Sequence, residues 1–270
     1  MSNPKPLQNK VVVITGASEG IGRALTKVCV EAGASVVASA RNLERLETLK
    51  SELLQSSDNF LPIKADVTSI EDCEMLITRT IESYGKINIL INNAGRTMWC
   101  RFEEIENLGL IDEIMKPNLY GAIYCTYFAL PHLYRTKGQI VAIASVAGLT
   151  GVPCRTIYSA SKHGMIGFFD SLRLEVESKG VSVTIVAPDF VKSEIHKRAL
   201  KGDGSSLESS PMIESKIMTA EECASLILKA TLKRQRMLIT SRRGKIGRWL
   251  KLICPSIIDK IAIKAIERKY

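Results

Sequence analysis

Val11-Val12-Val13-Ile14-Thr15-Gly16-Ala17-Ser18-Glu19-Gly20-Ile21-Gly22 decides how this chain folds. Its first five residues are all β-branched and show no polar alternation, the pattern of a strand buried on both faces. Glycines follow at 16, 20 and 22, and residues 21 to 32 then read as a helix that ends at Gly33. A buried strand, a glycine-rich turn and a helix form a unit whose helix N-terminus faces an anion, here a pyrophosphate. Glycine spacing alone is weak. The strand before it and the helix after it make the reading specific, against the competing one of a plain strand-to-helix turn.

The alternation continues outward. Residues 35–39, 60–65 and 87–91 read as strands, and 43–54 and 70–84 as helices, the second closed by Gly85. Residues 108–134 read as one long helical stretch, 139–144 as a strand, 158–178 as a helix and 181–187 as a strand. Thr219 is a plausible N-cap for a helix over 219–232, with Glu222 at the capping-box position, and 237–240 is a last short strand. Short apolar strands separated by helices predict an α/β fold. It is a single Rossmann-type doubly wound domain with a seven-stranded parallel sheet, plus a helical, basic C-terminal extension. Residues 188–218 lack strong periodicity around a Gly/Ser-rich centre and read as a functional lid more than a linker.

Composition narrows the function classes. The chain has 270 residues, 46% hydrophobic and 24% charged, with 9 Pro, which excludes a mainly disordered chain, collagen, a coiled coil and a small disulfide scaffold. Its 7 Cys form no CxxC pair and it has only 3 His, so neither a metal site nor a disulfide framework is expected. Scattered cysteines suit small core positions in a reducing compartment. Residues 1–10 are polar, unlike a secretory signal, and no apolar run approaches the ~20 residues of a membrane span. The expected location is cytoplasmic, with peripheral membrane contact as a further option. Residues 233–270 carry 12 Lys+Arg against 2 Asp+Glu, leaving 25 and 26 in the rest. A neutral body with a basic tail does not indicate a nucleic-acid surface; it allows a local anionic partner for the tail.

Three further motifs bear on chemistry. Ser39-Ala40-Arg41 ends the second strand with no acid before Glu44. An NAD site would place an acid there for the ribose, whereas Arg41 can grip a 2′-phosphate, so NADP is favoured. The alternative is a solvated arginine opening the next helix. Asn92-Asn93-Ala94-Gly95 follows the fourth strand and suits a ligand crevice, though alone it reads equally as a turn. Ser145 follows the fifth strand, and Tyr158 and Lys162 share a helix face four residues apart. An ammonium beside a phenol lowers its pKa from ~10, making Tyr158 a candidate proton donor, with Ser145 able to hydrogen-bond the same carbonyl oxygen. A Tyr–Lys pair at this spacing is otherwise a surface contact.

These motifs, in this order and spacing, resemble those of the short-chain dehydrogenase/reductase family over residues 8–240. The resemblance is to the NADP type, with a hydroxysteroid dehydrogenase-like C-terminal extension. It implies Tyr158 as general acid in reduction and base in oxidation. It implies Lys162 on the nicotinamide ribose and lowering the tyrosine pKa, Ser145 polarising the carbonyl, and Asn118 holding a proton-relay water. The implied cofactor set is Gly16, Ser18, Glu19, Gly20, Ile21, Gly22, Arg41, Asp66, Val67, Asn93, Ala94, Gly95, Tyr158, Lys162, Pro188, Val191 and Ser193. Asp66-Val67 would contact adenine, and Asn93 would support the sheet and pocket. Residues 1–241 then form the NADP-binding domain and 242–270 the extension. A homodimer or homotetramer through 108–134 and 154–178 is also implied. The chain departs from the family pattern three times. Pro117 precedes Asn118 in place of an aliphatic residue, Asp189 follows Pro188 in place of glycine, and Glu19 stands where many NADP-dependent members carry a basic residue.

The extension reads as two amphipathic helices broken at Pro255. Ile246, Trp249, Leu250 and Ile253 sit among Arg248 and Lys251; Ile257, Ile258, Ile261, Ala262, Ala265 and Ile266 share a face away from Asp259, Lys260, Lys264 and Arg268. Such a hairpin suits an anionic membrane surface, or else packs on the chain's own body or a sister subunit. The expected substrate wall is Met98, Trp99, Phe102, Val152, Pro153 and residues 190–216, including Phe190. The reading is hydride transfer between NADP(H) and a carbonyl or alcohol of a lipophilic small molecule. A 3-oxoacyl-carrier-protein reductase, a non-enzymatic NADP-binding regulator and a membrane-surface scaffold are the alternatives.

Overall fold

The β-branched runs form the centre of the molecule because each is apolar on both sides and must be covered twice. The computed structural model describes residues 5–53, 59–209 and 217–267. Strands β1 (Val11–Thr15), β2 (Ser35–Ala40), β3 (Phe60–Lys64), β4 (Ile89–Asn92), β5 (Gln139–Ile143), β6 (Ser182–Ala187) and β7 (Met237–Ile239) make one seven-stranded sheet, ordered β3-β2-β1-β4-β5-β6-β7. All its pairings are parallel.

Helices α1 (Gly20–Glu31), α2 (Leu43–Glu52) and α7 (Ala220–Leu232) cover one face, where Val12 and Ile14 pack with Leu25, Leu46 and Ile227. Val13 points the other way, towards α3 (Ile70–Tyr84), α5 (Gly121–Thr136) and α6 (Thr156–Val176). The period-2 alternation of a strand thus feeds two cores. Ser69 caps α3 by accepting from the Asp72 N–H at 3.0 Å, and Gly85 closes it in the left-handed region, φ 70°. Thr219 and Glu222 make the reciprocal capping box of α7.

The stretch over 108–134 is not one regular helix. It divides into α4 (Gly109–Met115), a π turn over Lys116–Tyr120 and α5. Pro117 has no N–H to continue the α ladder, so the chain takes a wider turn there. The helix expected over 158–178 begins at Thr156 and ends at Val176, with a 3₁₀ turn over 177–179. Leu54, residues 210–216 of the loop after β6, Arg268 and the side chains of Ala265 and Ile266 lie outside the described residues.

β1 has β2 on one side and β4 on the other, so the crossovers leave in opposite directions and open a crevice at the strands' carboxyl ends. The extension forms α8 (Arg242–Ile253) and α9 (Pro255–Glu267), which pack on each other beside that crevice. Among the described residues no helix is long and apolar enough to cross a membrane. Asp189, at the end of β6, anchors α8. Its Oδ2 accepts from Ser241 Oγ at 2.6 Å and Arg243 Nε at 2.5 Å, and its Oδ1 from Arg243 Nη2 at 2.7 Å. A bidentate arginine–carboxylate pair is the strong form of this contact.

Burial pushes the Asp189 carboxyl up, but the hydrogen bonds from Arg243 and Ser241 outweigh that and hold it below the usual carboxylate range. Its anchoring is therefore fully present above about pH 4 and is lost as pH falls through the lowered native value. Asp189→Ala is expected to free α8. Limited proteolysis should then cut near residue 240 several-fold faster, and wild type should acquire that sensitivity only below about pH 4. Equal cutting of both proteins at pH 7 would contradict the anchor.

Candidate active site

The glycine turn is built by exclusion. Gly16 has φ 65°, and a Cβ there would sit 2.7 Å from Ala94 Cα. At Gly22 a Cβ would meet the Gly16 carbonyl oxygen at 2.2 Å. Neither position accepts a side chain without moving backbone. Asn93 holds the turn from the facing strand: Nδ2 donates to the carbonyl oxygens of Thr15 at 2.9 Å and Gly16 at 3.0 Å. Its own N–H, and that of Ala94, donate to Thr15 Oγ1 at 3.0 and 3.1 Å. Among the described residues no side chain caps α1 and no acid stands in its first turn, so the amides there remain available to an anion. The cradle and the open helix end fit the pyrophosphate of a dinucleotide.

Arginines frame the crevice beside the end of β2 and the glycine turn. Arg41 is 65% exposed, with Nη1 at 4.0 Å from Asp66 Oδ2. Glu19 is not a free carboxylate, because it accepts from Arg45 at 2.5 Å and from Arg198 at 2.6 and 2.7 Å. Arg198 arrives from the loop after β6, so this pair also closes that loop onto the glycine turn.

Ser145 follows β5 and caps a 3₁₀ turn over 146–148, accepting from the Ala147 N–H at 3.2 Å. Tyr158 and Lys162 lie on α6, both buried, and the Tyr158 hydroxyl shares the cavity with that of Ser145, which acts on its pKa. Lys162 Nζ donates to the Ile143 carbonyl at 2.9 Å and lies 6.0 Å from the Tyr158 ring centre. Burial pushes the Lys162 ammonium down to about 8. Burial also raises the Tyr158 phenol; the Arg155 guanidinium and the Ser145 hydroxyl oppose that without cancelling it. The sequence pattern assigned the pKa-lowering role to Lys162. In this structure two cations face the ring: Arg155, its Cζ 5.7 Å from the ring centre, joins Lys162 there.

Asn118 sits in the π turn behind the cavity. Its Oδ1 accepts from the Arg96 N–H at 2.7 Å, and its Nδ2 donates to the Arg96 carbonyl and to Ser161 Oγ, both at 2.9 Å. A Cβ at Gly95 would lie 2.7 Å from Asn118 Oδ1, so glycine is needed for this approach.

One cavity of about 590 Å³ joins these parts. Ser145, Tyr158 and Lys162 line it, as does every expected cofactor residue except Gly22. Asn118 is fully buried beside it. Of the expected substrate wall, Val152 and, from the 190–216 stretch, Phe190, Val191, Ser193, Ile195, His196 and Arg198 line the cavity. Met98 and Trp99 are buried in two small clusters behind it. Phe102 is 62% exposed, and Pro153 does not line the cavity. Arg45 and Arg155, which the sequence did not mark, also line it, as do Leu250 and Ile258 of the extension. No local pattern marks these arginines, because Glu19 for Arg45, and Trp99 and Phe190 for Arg155, lie far along the chain.

A sequence profile described as short chain dehydrogenase matches residues 10–203. A Dictyostelium discoideum "Dehydrogenase/reductase SDR family protein 7-like" is 36% identical over 263 residues, covering 95% of this chain and 82% of the relative. An Arabidopsis thaliana "11-beta-hydroxysteroid dehydrogenase-like 4A" is 34% identical, covering 93% and 83%. The fold resembles a crystal structure of a short chain dehydrogenase/reductase from Burkholderia phymatum in complex with NAD. Its TM-score is 0.83 at 23% identity, covering 93% of this chain and 96% of that one. A buried Tyr–Ser pair with a lysine on the same helix, facing a glycine cradle, now stands beside a family match over most of the chain. The chain belongs to the short-chain dehydrogenase/reductase family of oxidoreductases.

Proposed function

We propose that this protein is an NADP(H)-dependent oxidoreductase that interconverts a carbonyl and an alcohol on a lipophilic small molecule. The observation that carries the reading is the buried Tyr158–Ser145 hydroxyl pair, in one cavity with Lys162 and the glycine turn. The cradle of Gly16, Gly20 and Asn93 would hold the dinucleotide, which when bound supplies or accepts the hydride. The chain's own part is orientation and proton transfer. Ser145 and Tyr158 present two hydroxyls to one substrate oxygen, which fixes its position. Tyr158 gives its proton to that oxygen in reduction and takes it back in oxidation. Lys162, held on the Ile143 carbonyl and lining the cavity, would bind the nicotinamide ribose. Asn118 orders the adjoining π turn, where a relay water would connect Lys162 to solvent.

NADP is favoured over NAD by Arg41 at the end of β2, with no acid in that place. Glu19 does not argue against it, because Arg45 and Arg198 neutralise its charge. The lipophilic substrate is supported by the apolar residues that α8 and α9 bring to the cavity, and by the hydroxysteroid dehydrogenase-like names of several relatives. The opposite side of the extension is exposed and apolar: Trp249 is 65% and Leu252 71% exposed, among basic residues. That pairing suits an anionic membrane surface at the cleft mouth. Tyr127 and Leu174, exposed on α5 and α6, suit a homo-oligomer. Seven free cysteines suit the reducing cytoplasm.

Tyr158→Phe should lower kcat by about 10²- to 10⁴-fold while NADPH binding, read by fluorescence, persists; retained turnover would count against the reaction. Arg41→Ala should weaken NADPH binding by roughly tenfold or more and leave NADH binding alone. If wild type binds NADH as tightly as NADPH, the cofactor assignment is wrong. The wild-type protein should co-sediment with phosphatidylserine vesicles and Trp249→Glu/Leu252→Glu should not; no sedimentation of either, or a change of oligomeric state in the variant, would point to a sister subunit instead.

A further inference from the structure

Arg155 immediately precedes α6, three residues before Tyr158, and is only 5% exposed. It lines the same cavity as Tyr158 and Ser145. Three aromatic rings surround its guanidinium, with Cζ at 4.9 Å from the Trp99 ring centre, 5.2 Å from Phe190 and 5.7 Å from Tyr158. Its Nε and Nη2 are sealed from water and have no hydrogen-bond partner among the described residues. Burial lowers its pKa.

A guanidinium in such a place is costly. Ring faces offset part of the lost hydration through cation–π attraction, but they accept no directed N–H bond. The two orphaned donors are also not an arbitrary pair. Nε–H and Nη2–H form one edge of the guanidinium plane, with parallel bonds spaced to match the two oxygens of a carboxylate or phosphate. No carboxylate among the described residues takes that edge. A cation kept buried beside the reacting hydroxyl, with its fork unmade, fits an anion that comes and goes.

We propose that Arg155 is the anchor for an oxyanion on the substrate, so that this cleft takes amphiphilic oxo acids rather than neutral lipids. The substrate carries a carboxylate or phosphate near the carbonyl that Tyr158 and Ser145 hold. Its apolar part runs along the side of the cavity formed by Leu250, Ile258 and Ala262. The anion reaches the fork as Phe190, partly exposed on the loop after β6, turns aside. The inference rests on the carbonyl-reductase reading above and adds the substrate's charge to it.

The test compares straight-chain oxo acids, with the carbonyl at the second to fifth carbon, against their methyl esters, using holoenzyme and NADPH. Wild type should favour the best acid over its ester by about tenfold or more in kcat/KM, mainly through KM. In Arg155→Gln that acid-to-ester ratio should fall about ten- to a hundred-fold, and Arg155→Lys should restore part of it. A wild-type enzyme indifferent to esterification, or a variant that loses acid and ester in equal proportion, overturns the proposal. Should Arg155→Gln fail to fold, wild type alone decides. Saturated alkanoates or alkyl phosphates should inhibit ester reduction competitively, alcohols of equal length should not, and the stronger of the two anions names the headgroup. Equal inhibition by anion and alcohol overturns the proposal. Tyr158→Phe, assayed on the ester, tests the underlying reaction separately, because that substrate carries no anion.

Discussion

The structure turns on the Asn93 amide reaching across from β4 to the carbonyl oxygens of Thr15 and Gly16. β1 and β4 are neighbours whose crossovers depart to opposite faces, so nothing regular covers the chain where they separate. The backbone polar groups of the turn would stand open there. One side-chain amide satisfies two of them, and the Thr15 hydroxyl answers by accepting from the amides of Asn93 and Ala94. The contact is possible only because residue 16 has no Cβ, since Ala94 would otherwise collide with it. Strand ends, glycine turn and α1 are thereby one rigid corner, and the cofactor cradle is that corner seen from outside.

Around it the molecule concentrates buried charge. Tyr158, Lys162 and Arg155 lie within a few residues of one another on α6 and at its start, all inside the protein. Burial disfavours every charged form there, so the phenol rises while the lysine and arginine fall. A lysine lowered to about 8 keeps most of its charge at neutral pH, so a neutral phenol sits beside two buried cations. That state would suit a proton donor, because the nearby cations would stabilise a phenolate.

Much of this was legible in sequence, for a definite reason. Val11–Thr15, the glycines and the 158–162 pair are local patterns whose period and order carry the information, and seven strands followed from alternation alone. Other features were not legible because their causes are distant. Glu19 and Arg198 are separated by most of the chain, and Asp189 and Arg243 meet only because α8 returns to the end of β6. The π turn was only partly legible: Pro117 announces a break, but the apolar period continues on either side, so the form of the turn did not show in the long helical stretch. Met98 and Trp99 read as substrate wall because they are large and apolar. They fill clusters behind the wall because the loop that carries Leu200 pairs with them, Trp99 donating its N–H to the Leu200 carbonyl.

The three departures from the family pattern share a logic that only the fold exposes. Each puts an awkward group near the cofactor cleft, and two of the three have a counterpart that makes sense of it. Glu19 brings a negative charge to the phosphate side, and Arg45 and Arg198 neutralise it while drawing the loop after β6 across the turn. Asp189 replaces a flexible residue with a carboxylate, and Ser241 and Arg243 use it to seat the extension. Pro117 has no charged counterpart; its missing N–H widens the turn that holds Asn118 against Arg96 and Ser161. Taken singly, each weakens the assignment. Taken with their partners, Glu19 becomes a tie between the glycine turn and the loop after β6, and Asp189 a tie between β6 and α8. Ion pairs on the rim and a buried arginine at the centre are therefore the charged groups that this cleft presents to whatever enters it.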